Sequence, residues 1–276
     1  MPSVYDLHCH SDQSDGVLAP EALVTRAKAQ GVDCLALTDH DSVAGIAKAR
    51  EQASIEGLSL ISGIEFSSQW MGRGVHIVGL AIDAASDAIT HAVSEQTRIR
   101  HARAVTIAER LQKAGLPDVL SGAKQLAEGG VIGRPHIARY LVDIGQVSTV
   151  NQAFKRYLGT GKIGDVKNVW PDMDTVVAWI RASGGIAVLA HPAKYKLTRT
   201  KLCELSADFT EAGGQAIEVV SGKQPVGLAE NLAKIAQLFN LAGSCGSDFH
   251  VPGQAWQELG RFSAFPTGIQ PVWELW

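Results

Sequence analysis

Val4-Tyr5-Asp6-Leu7-His8-Cys9-His10 opens the chain with an extended pattern that carries two imidazoles on one face. Side chains alternate across a strand, so His8 and His10 point one way and Cys9 the other. Two imidazoles so placed can grip a metal ion, yet the triplet alone is a weak signal, because histidine is tolerated on half-buried strands. The pattern that follows gives it weight. Residues 20–30 read as a helix, with Pro20 suited to its first turn and Gly31 to its stop. Apolar runs over 34–38, 58–65 and 75–81 read as strands, with a helix over 43–55. The runs are nearly continuous, as expected of strands buried on both faces, and the βαβα order predicts a parallel α/β barrel.

That alternation breaks over 84–169, where long helical patterns such as 89–114 are joined at Gly129-Gly130 and Gly159-Thr160-Gly161. The segment is expected to be a helical insertion, with 1–83 and 170–276 forming the barrel. Alternation resumes with helices over 174–183, 201–212 and 226–239 and strands over 186–190, 216–220 and 241–245. The tail, 262–276, is expected to pack on the barrel exterior.

A chain of 276 residues, 46% of them hydrophobic, has core material for such a barrel. A net charge of -3 and a pI near 6.3 exclude a protein that coats nucleic acid through bulk charge. No apolar run approaches the roughly 20 residues of a membrane span, and no signal-type segment precedes Val4. Cys9, Cys34, Cys203 and Cys245 are scattered and read as reduced thiols, so a cytoplasmic location is expected. No stable protein partner is implied.

The ends of the strand patterns carry the chemistry: Thr38-Asp39-His40-Asp41, Gly63-Ile64-Glu65, Val75-His76-Ile77, Leu189-Ala190-His191-Pro192 and Gly246-Ser247-Asp248-Phe249-His250. Asp15 lies in the loop after the first strand. A parallel barrel gathers its strand ends on one rim. Nine candidate ligands are therefore predicted to converge: His8, His10, Asp15, His40, Glu65, His76, His191, Asp248 and His250. Unpaired buried polar groups are costly, so such a gathering points to bound cations. Mixed imidazole and carboxylate donors suit manganese, zinc or iron.

Taken together, these motifs resemble the PHP (polymerase and histidinol phosphatase) superfamily over residues 3–83 and 170–255. Gly133-Arg134-Pro135-His136 in the insertion further resembles the bacterial branch that holds 3',5'-nucleoside bisphosphate phosphatases and 5'-to-3' exoribonucleases acting on short RNA. The resemblance implies a distorted (β/α)7 TIM-like barrel with two to three divalent ions, manganese placed first and zinc or iron as alternatives. It implies His8, His10, Glu65 and Asp248 on a first ion, Glu65, His76 and His191 on a second, and Asp15, His40 and His250 on a third. Some members carry His where this chain has Asp15, a difference expected to weaken or re-select the third site. His8, His10, Glu65, His191 and Asp248 would be catalytic, with a metal-bridging hydroxide as nucleophile; no Ser or Cys stands in a nucleophile context such as GxSxG.

The expected substrate contacts are Arg134, Arg103, Ala102, His136, His40 and His250. Arg134 precedes Pro135 at a helix start, where free N–H groups favour an anion. Two or three side chains of the 98–103 stretch are expected to reach the cleft, Lys162 and Lys167 to border it, and Asp41 to orient a ligand histidine. The expected substrate is a nucleotide with two phosphates, losing its 3'-phosphate as in pAp to AMP, or a short RNA cut from its 5' end. The alternatives are a histidinol-phosphate phosphatase and a non-catalytic metal-stabilised module.

Overall fold

The computed structural model describes residues 3–127, 130–167 and 169–276; of the expected insertion joints, Gly129 lies outside the described residues. Seven strands form one sheet in chain order: β1 (Tyr5–Asp6), β2 (Cys34–Leu37), β3 (Ser59–Trp70), β4 (Arg73–Leu80), β5 (Ile186–Leu189), β6 (Ala216–Ser221) and β7 (Ala242–Gly246). The ring closes through backbone hydrogen bonds from Leu7 N–H to Cys245 O (3.0 Å), Asp248 N–H to His8 O (2.8 Å) and His10 N–H to Phe249 O (2.9 Å). Helices α1 (Pro20–Ala29) and α2 (Ile46–Glu56) cross between the first three strands, as the periodicity predicts.

The barrel departs from the all-parallel expectation at one strand. β4 runs antiparallel to both β3 and β5, while every other pair is parallel. The cause is local. β3 does not stop at Glu65 but runs on to Trp70, and only Met71 and Gly72 separate it from β4. Both turn residues have positive φ, 48° and 70°. A two-residue turn of this kind closes a hairpin, whereas a parallel return needs a crossover of about a dozen residues. Reversal puts His76, in the first half of β4, beside the C-terminal ends of the parallel strands, because its register partner is Ser67.

From β4 the chain enters α3 (Asp87–Lys113), α4 (Val119–Leu126), α5 (Arg134–Asp143) and the short α6 (Val150–Ala153), which runs into a π-helical turn, Phe154–Leu158. Ser86 caps α3, its hydroxyl accepting from Ile89 N–H at 3.4 Å. The first turns of α3 bury Ile89 and Ala92 in the barrel core, and its later turns bury Ile107 and Leu111 in a separate core drawn from residues 107–166. α7 (Met173–Ala182), α8 (Arg199–Glu211) and α9 (Leu228–Leu238) complete the outer layer. In the tail, Trp273 stacks on Tyr5 at 4.2 Å and so covers the barrel beside β1.

Asp41, expected to orient a histidine, instead docks α3. Its Oδ2 accepts from Arg100 Nε at 2.6 Å and its Oδ1 from Ser67 N–H at 2.7 Å, and Arg100 Nη2 reaches Ser67 Oγ at 2.9 Å. Asp41 is fully buried, so removing it strands a guanidinium. Asp41→Ala is expected to cost about 3–5 kcal/mol, the usual effect of breaking a buried pair. A shift in the denaturant midpoint checks this, and Arg100→Met in the same background should recover part of the loss.

Candidate metal centre

The nine candidate ligands meet at the rim where the parallel strands end. Alternation works as expected at the first strand: Leu7 and Cys9 are buried in apolar clusters, and His8 and His10 face inward. Cys9 Sγ donates to Ala36 O at 3.2 Å, away from the cluster. Glycine at 246 lets β7 approach this strand, since a Cβ there would lie 2.4 Å from His8 Cβ. His191 (φ 28°) and Asp248 (φ 54°) leave β5 and β7 in left-handed conformations that side chains other than glycine rarely adopt.

Glu65 is the hub. Its Oε1 lies 2.9 Å from His191 Nε2, 3.0 Å from His76 Nδ1 and 3.3 Å from His8 Nε2, and its Oε2 lies 2.8 Å from His40 Nδ1 and 3.4 Å from His10 Nε2. Asp248 Oδ1 is 3.4 Å from His10 Nε2 and 3.7 Å from His8 Nε2 and from His250 Nδ1. Asp15 faces His250 at 3.3 Å and His40 at 3.8 Å. Donor atoms of His10, Asp15, His40 and His250, of His8, Glu65 and His191, of His8, His10 and Asp248, and of His40, Glu65 and His76 each lie within 4.8 Å of one another.

Within this cluster, and among the described residues, His8 Nε2, both ring nitrogens of His10, His40 Nδ1, Glu65 Oε2 and Asp15 Oδ1 are buried without a hydrogen-bond partner. Leaving so many polar atoms unsatisfied is costly unless cations take them, so the donor set fits divalent ions held by nitrogen and oxygen. The electrostatics agree. Burial opposes ionisation of Glu65, but His40, His8 and His76 outweigh it and hold the carboxyl well below its usual range. Burial, with His250 and His40 nearby, holds His10 well below the ordinary imidazole value, and burial brings His76 down to about 4. Burial also works against a charge on His8, yet Glu65 and Glu218 carry it up to about 10.

Glu218 and Lys194 are the residues that the sequence reading missed. Glu218 is buried on β6 with its Oε1 3.1 Å from His8 Nδ1. Its signal was available, because it is the one charged residue in Ala-Ile-Glu-Val-Val-Ser. Lys194 Nζ contacts Asp248 Oδ2 from the 3-10 turn Pro192–Tyr195.

Beside the cluster lies an open cleft of about 640 Å³ whose lining includes Arg73, Arg103, Arg134, Trp170, Lys194 and Tyr195. Tyr195 ties it to the ligands by accepting His76 N–H at 2.8 Å. At the other side, among the described residues, Arg103 and Arg134 donate only to backbone carbonyls, of Val166 at 3.4 Å and Leu158 at 3.2 Å. Arg103 lies 5.1 Å over the Trp170 ring. Burial, with Arg134 and Arg100 close by, brings Arg103 down to about 9 against the pull of Asp165, which lines the same cleft.

Other expected substrate contacts are placed differently. Ala102 is exposed, its carbonyl accepting from Thr106 Oγ1, and is not part of the cleft lining. His136 is buried with Nδ1 accepting Gly133 N–H at 3.1 Å, so it caps α5. His40 and His250 lie in the ligand cluster against Asp15. Of the 98–103 stretch, Arg98 pairs with Glu95 at the surface, Arg100 is committed to Asp41, His101 is exposed, and Arg103 alone lines the cleft among the described residues. Lys167 lines it, but Lys162 does not.

The PHP domain profile matches residues 6–161. A 5'-3' exoribonuclease of Haemophilus influenzae is 48% identical over 274 residues, 99% of each chain. A 3',5'-nucleoside bisphosphate phosphatase of Chromobacterium violaceum is 39% identical over 269 residues, covering 97% of this chain and 94% of its own. Among solved structures, an amidohydrolase from Chromobacterium violaceum with bound sulfate and no metal superposes with TM-score 0.92 at 38% identity, covering 99% of this chain and 95% of the other. A protein from Bifidobacterium adolescentis assigned as a metal-dependent phosphoesterase superposes with TM-score 0.83 at 26% identity, covering 100% and 95%.

Proposed function

The chain belongs to the PHP domain family of phosphoester hydrolases, and from that premise we propose that it removes the 3'-phosphate of nucleoside 3',5'-bisphosphates and also shortens oligoribonucleotides from the 5' end. The observation that carries this reading is the pairing of a nine-residue donor cluster with a neighbouring cleft lined by Arg103 and Arg134. One phosphoryl group would be attacked at the cluster while the other is held at Arg103 and Arg134.

His8, His10, Glu65 and Asp248 would hold one ion, Glu65, His76 and His191 a second, and Asp15, His40 and His250 a third; manganese is the metal we place first. Such ions supply Lewis acidity toward a phosphate oxygen and toward the attacking water. The chain's own residues do the rest. Glu65 keeps negative charge at the cluster, and His10, His76 and His191 present imidazoles whose protonation burial suppresses. Arg103 and Arg134 offer guanidinium forks that match phosphate oxygens bidentately. Trp170 backs Arg103, its ring centre 5.1 Å from the guanidinium carbon. The cleft volume lies within the range of small-molecule sites, about 300–1,000 Å³. Its open side leaves room for a further nucleotide esterified to the attacked phosphoryl group, so that the same break at O3' serves 5'-to-3' cleavage.

Two tests arise here. Phosphate release should be faster from a nucleoside 3',5'-bisphosphate than from histidinol phosphate, which has no second anion for the arginine pair; the reverse order overturns the assignment. Metal loading should also release protons. His8, raised to about 10, carries a proton at neutral pH that an arriving ion displaces, so affinity falls as pH is lowered. Titration calorimetry in buffers of different ionisation enthalpy counts those protons.

A further inference from the structure

We infer that Glu218 is a positioning residue of the metal centre, fixing by one buried carboxylate the ring of His8 and the backbone of His191. The inference rests on the metal-centre reading above. Glu218 lies on β6 between the strands that deliver His191 and Asp248, and its residue is 2% exposed. Its Oε1 and Oε2 are 3.1 and 3.3 Å from His8 Nδ1, and Oε2 accepts His191 N–H at 2.6 Å.

Each contact has a directional consequence. A carboxylate only accepts, so Nδ1 of His8 must carry the hydrogen, and the Nε2 lone pair is then left for a cation. Nε2 is the atom that faces Glu65 at 3.3 Å and Asp248 at 3.7 Å, and it is buried without a hydrogen bond. The bond to His191 N–H holds a residue at φ 28°, which brings its own Nε2 to 2.9 Å from Glu65 Oε1. The pairing of β6 with β7 slips between Glu218 and Val220, and bulges of this kind re-aim side chains beside sites. Glu218 thus sets, from the side away from Glu65, two ligands that approach Glu65 from different strands.

Glu218→Gln separates this role from a packing role. The amide keeps the volume and one acceptor, but it presents an NH₂ to His8 Nδ1 and drives the ring hydrogen onto Nε2. The expected result is a loss of about 10- to 100-fold in affinity for Mn²⁺, measured by competition with a chelating dye, with unchanged far-UV circular dichroism and melting. In the zinc-loaded wild type, nitrogen-15 spectra should show a slowly exchanging Nδ1–H on His8 that is absent from Glu218→Gln. Equal affinity in the two proteins, or a His8 ring protonated at Nε2 in the zinc-loaded wild type, overturns the inference, and the second result needs no variant. If the wild type itself binds no Mn²⁺ or Zn²⁺, the metal-centre reading fails instead.

Discussion

Glu65→Gln is expected to abolish phosphate release while leaving the fold in place. Five imidazoles lie within 3.4 Å of this carboxylate, and its two oxygens divide them: His8, His76 and His191 on one, His10 and His40 on the other. An amide has one oxygen and no charge. It would leave two or three of these five rings facing an NH₂ group and would withdraw the anion shared by two of the proposed ion sites. Lewis-acid stabilisation amounts to several kcal/mol, and at about 1.4 kcal/mol per decade its loss is on the order of a thousandfold or more. Steady-state phosphate release from a bisphosphate substrate measures this, with circular dichroism and elemental analysis as companions. Activity within tenfold of wild type, in a folded protein, would remove Glu65 from the reaction.

The second large effect lies at the far side of the cleft. Replacing both Arg103 and Arg134 by alanine should lower kcat/KM for a nucleoside 3',5'-bisphosphate by at least about a hundredfold. Each charge-assisted hydrogen bond contributes about 1.5–3 kcal/mol, and losing two of them reaches that range even when the effects do not add. A nucleoside 3'-monophosphate, which has no second anion, should be hydrolysed by wild type and variant at similar rates. That contrast separates a phosphate grip from general damage: parallel loss on both substrates would place the arginines in the scaffold. Trp170 lines the same cleft and is expected to support the same grip, because Arg103 lies 5.1 Å over its ring centre.

Much of this site was legible from residue types at the ends of apolar runs. Period-two alternation was enough to pair His8 with His10 and turn Cys9 away, and the other motifs follow from the rule that strand ends share a rim. His76 was legible as a candidate ligand but not for the right reason. A parallel fourth strand could not have placed it well, and the short Met71-Gly72 connection, which forces reversal, lay in plain view between two β-rich runs.

What stayed hidden was set by tertiary partners with no local period. Asp41 sits beside His40 in sequence, yet its left-handed backbone turns its carboxylate to Arg100, 59 residues away. Glu218 pairs with His8 across 210 residues, and only its charge inside an apolar strand marked it. His136 shows the opposite error. A histidine two residues after Arg134 looks like part of an anion site, but at the third position of a helix its ring turns back to the preceding backbone N–H. Ala102 lies outside the cleft lining by helical phase, since only one face of α3 meets the cleft.

The central claim, that the nine-ligand cluster is a metal centre that hydrolyses phosphoesters, is tested most directly with Asp248→Asn. Metal-free wild type and variant are to be titrated with Mn²⁺, with bound ions counted by elemental analysis and phosphate release followed from a nucleoside 3',5'-bisphosphate. The wild type should take up two or three ions and gain activity in step with them, and the folded variant should bind fewer ions and release almost no phosphate. Unchanged phosphate release by Asp248→Asn, or full activity of the metal-free wild type, would contradict the account.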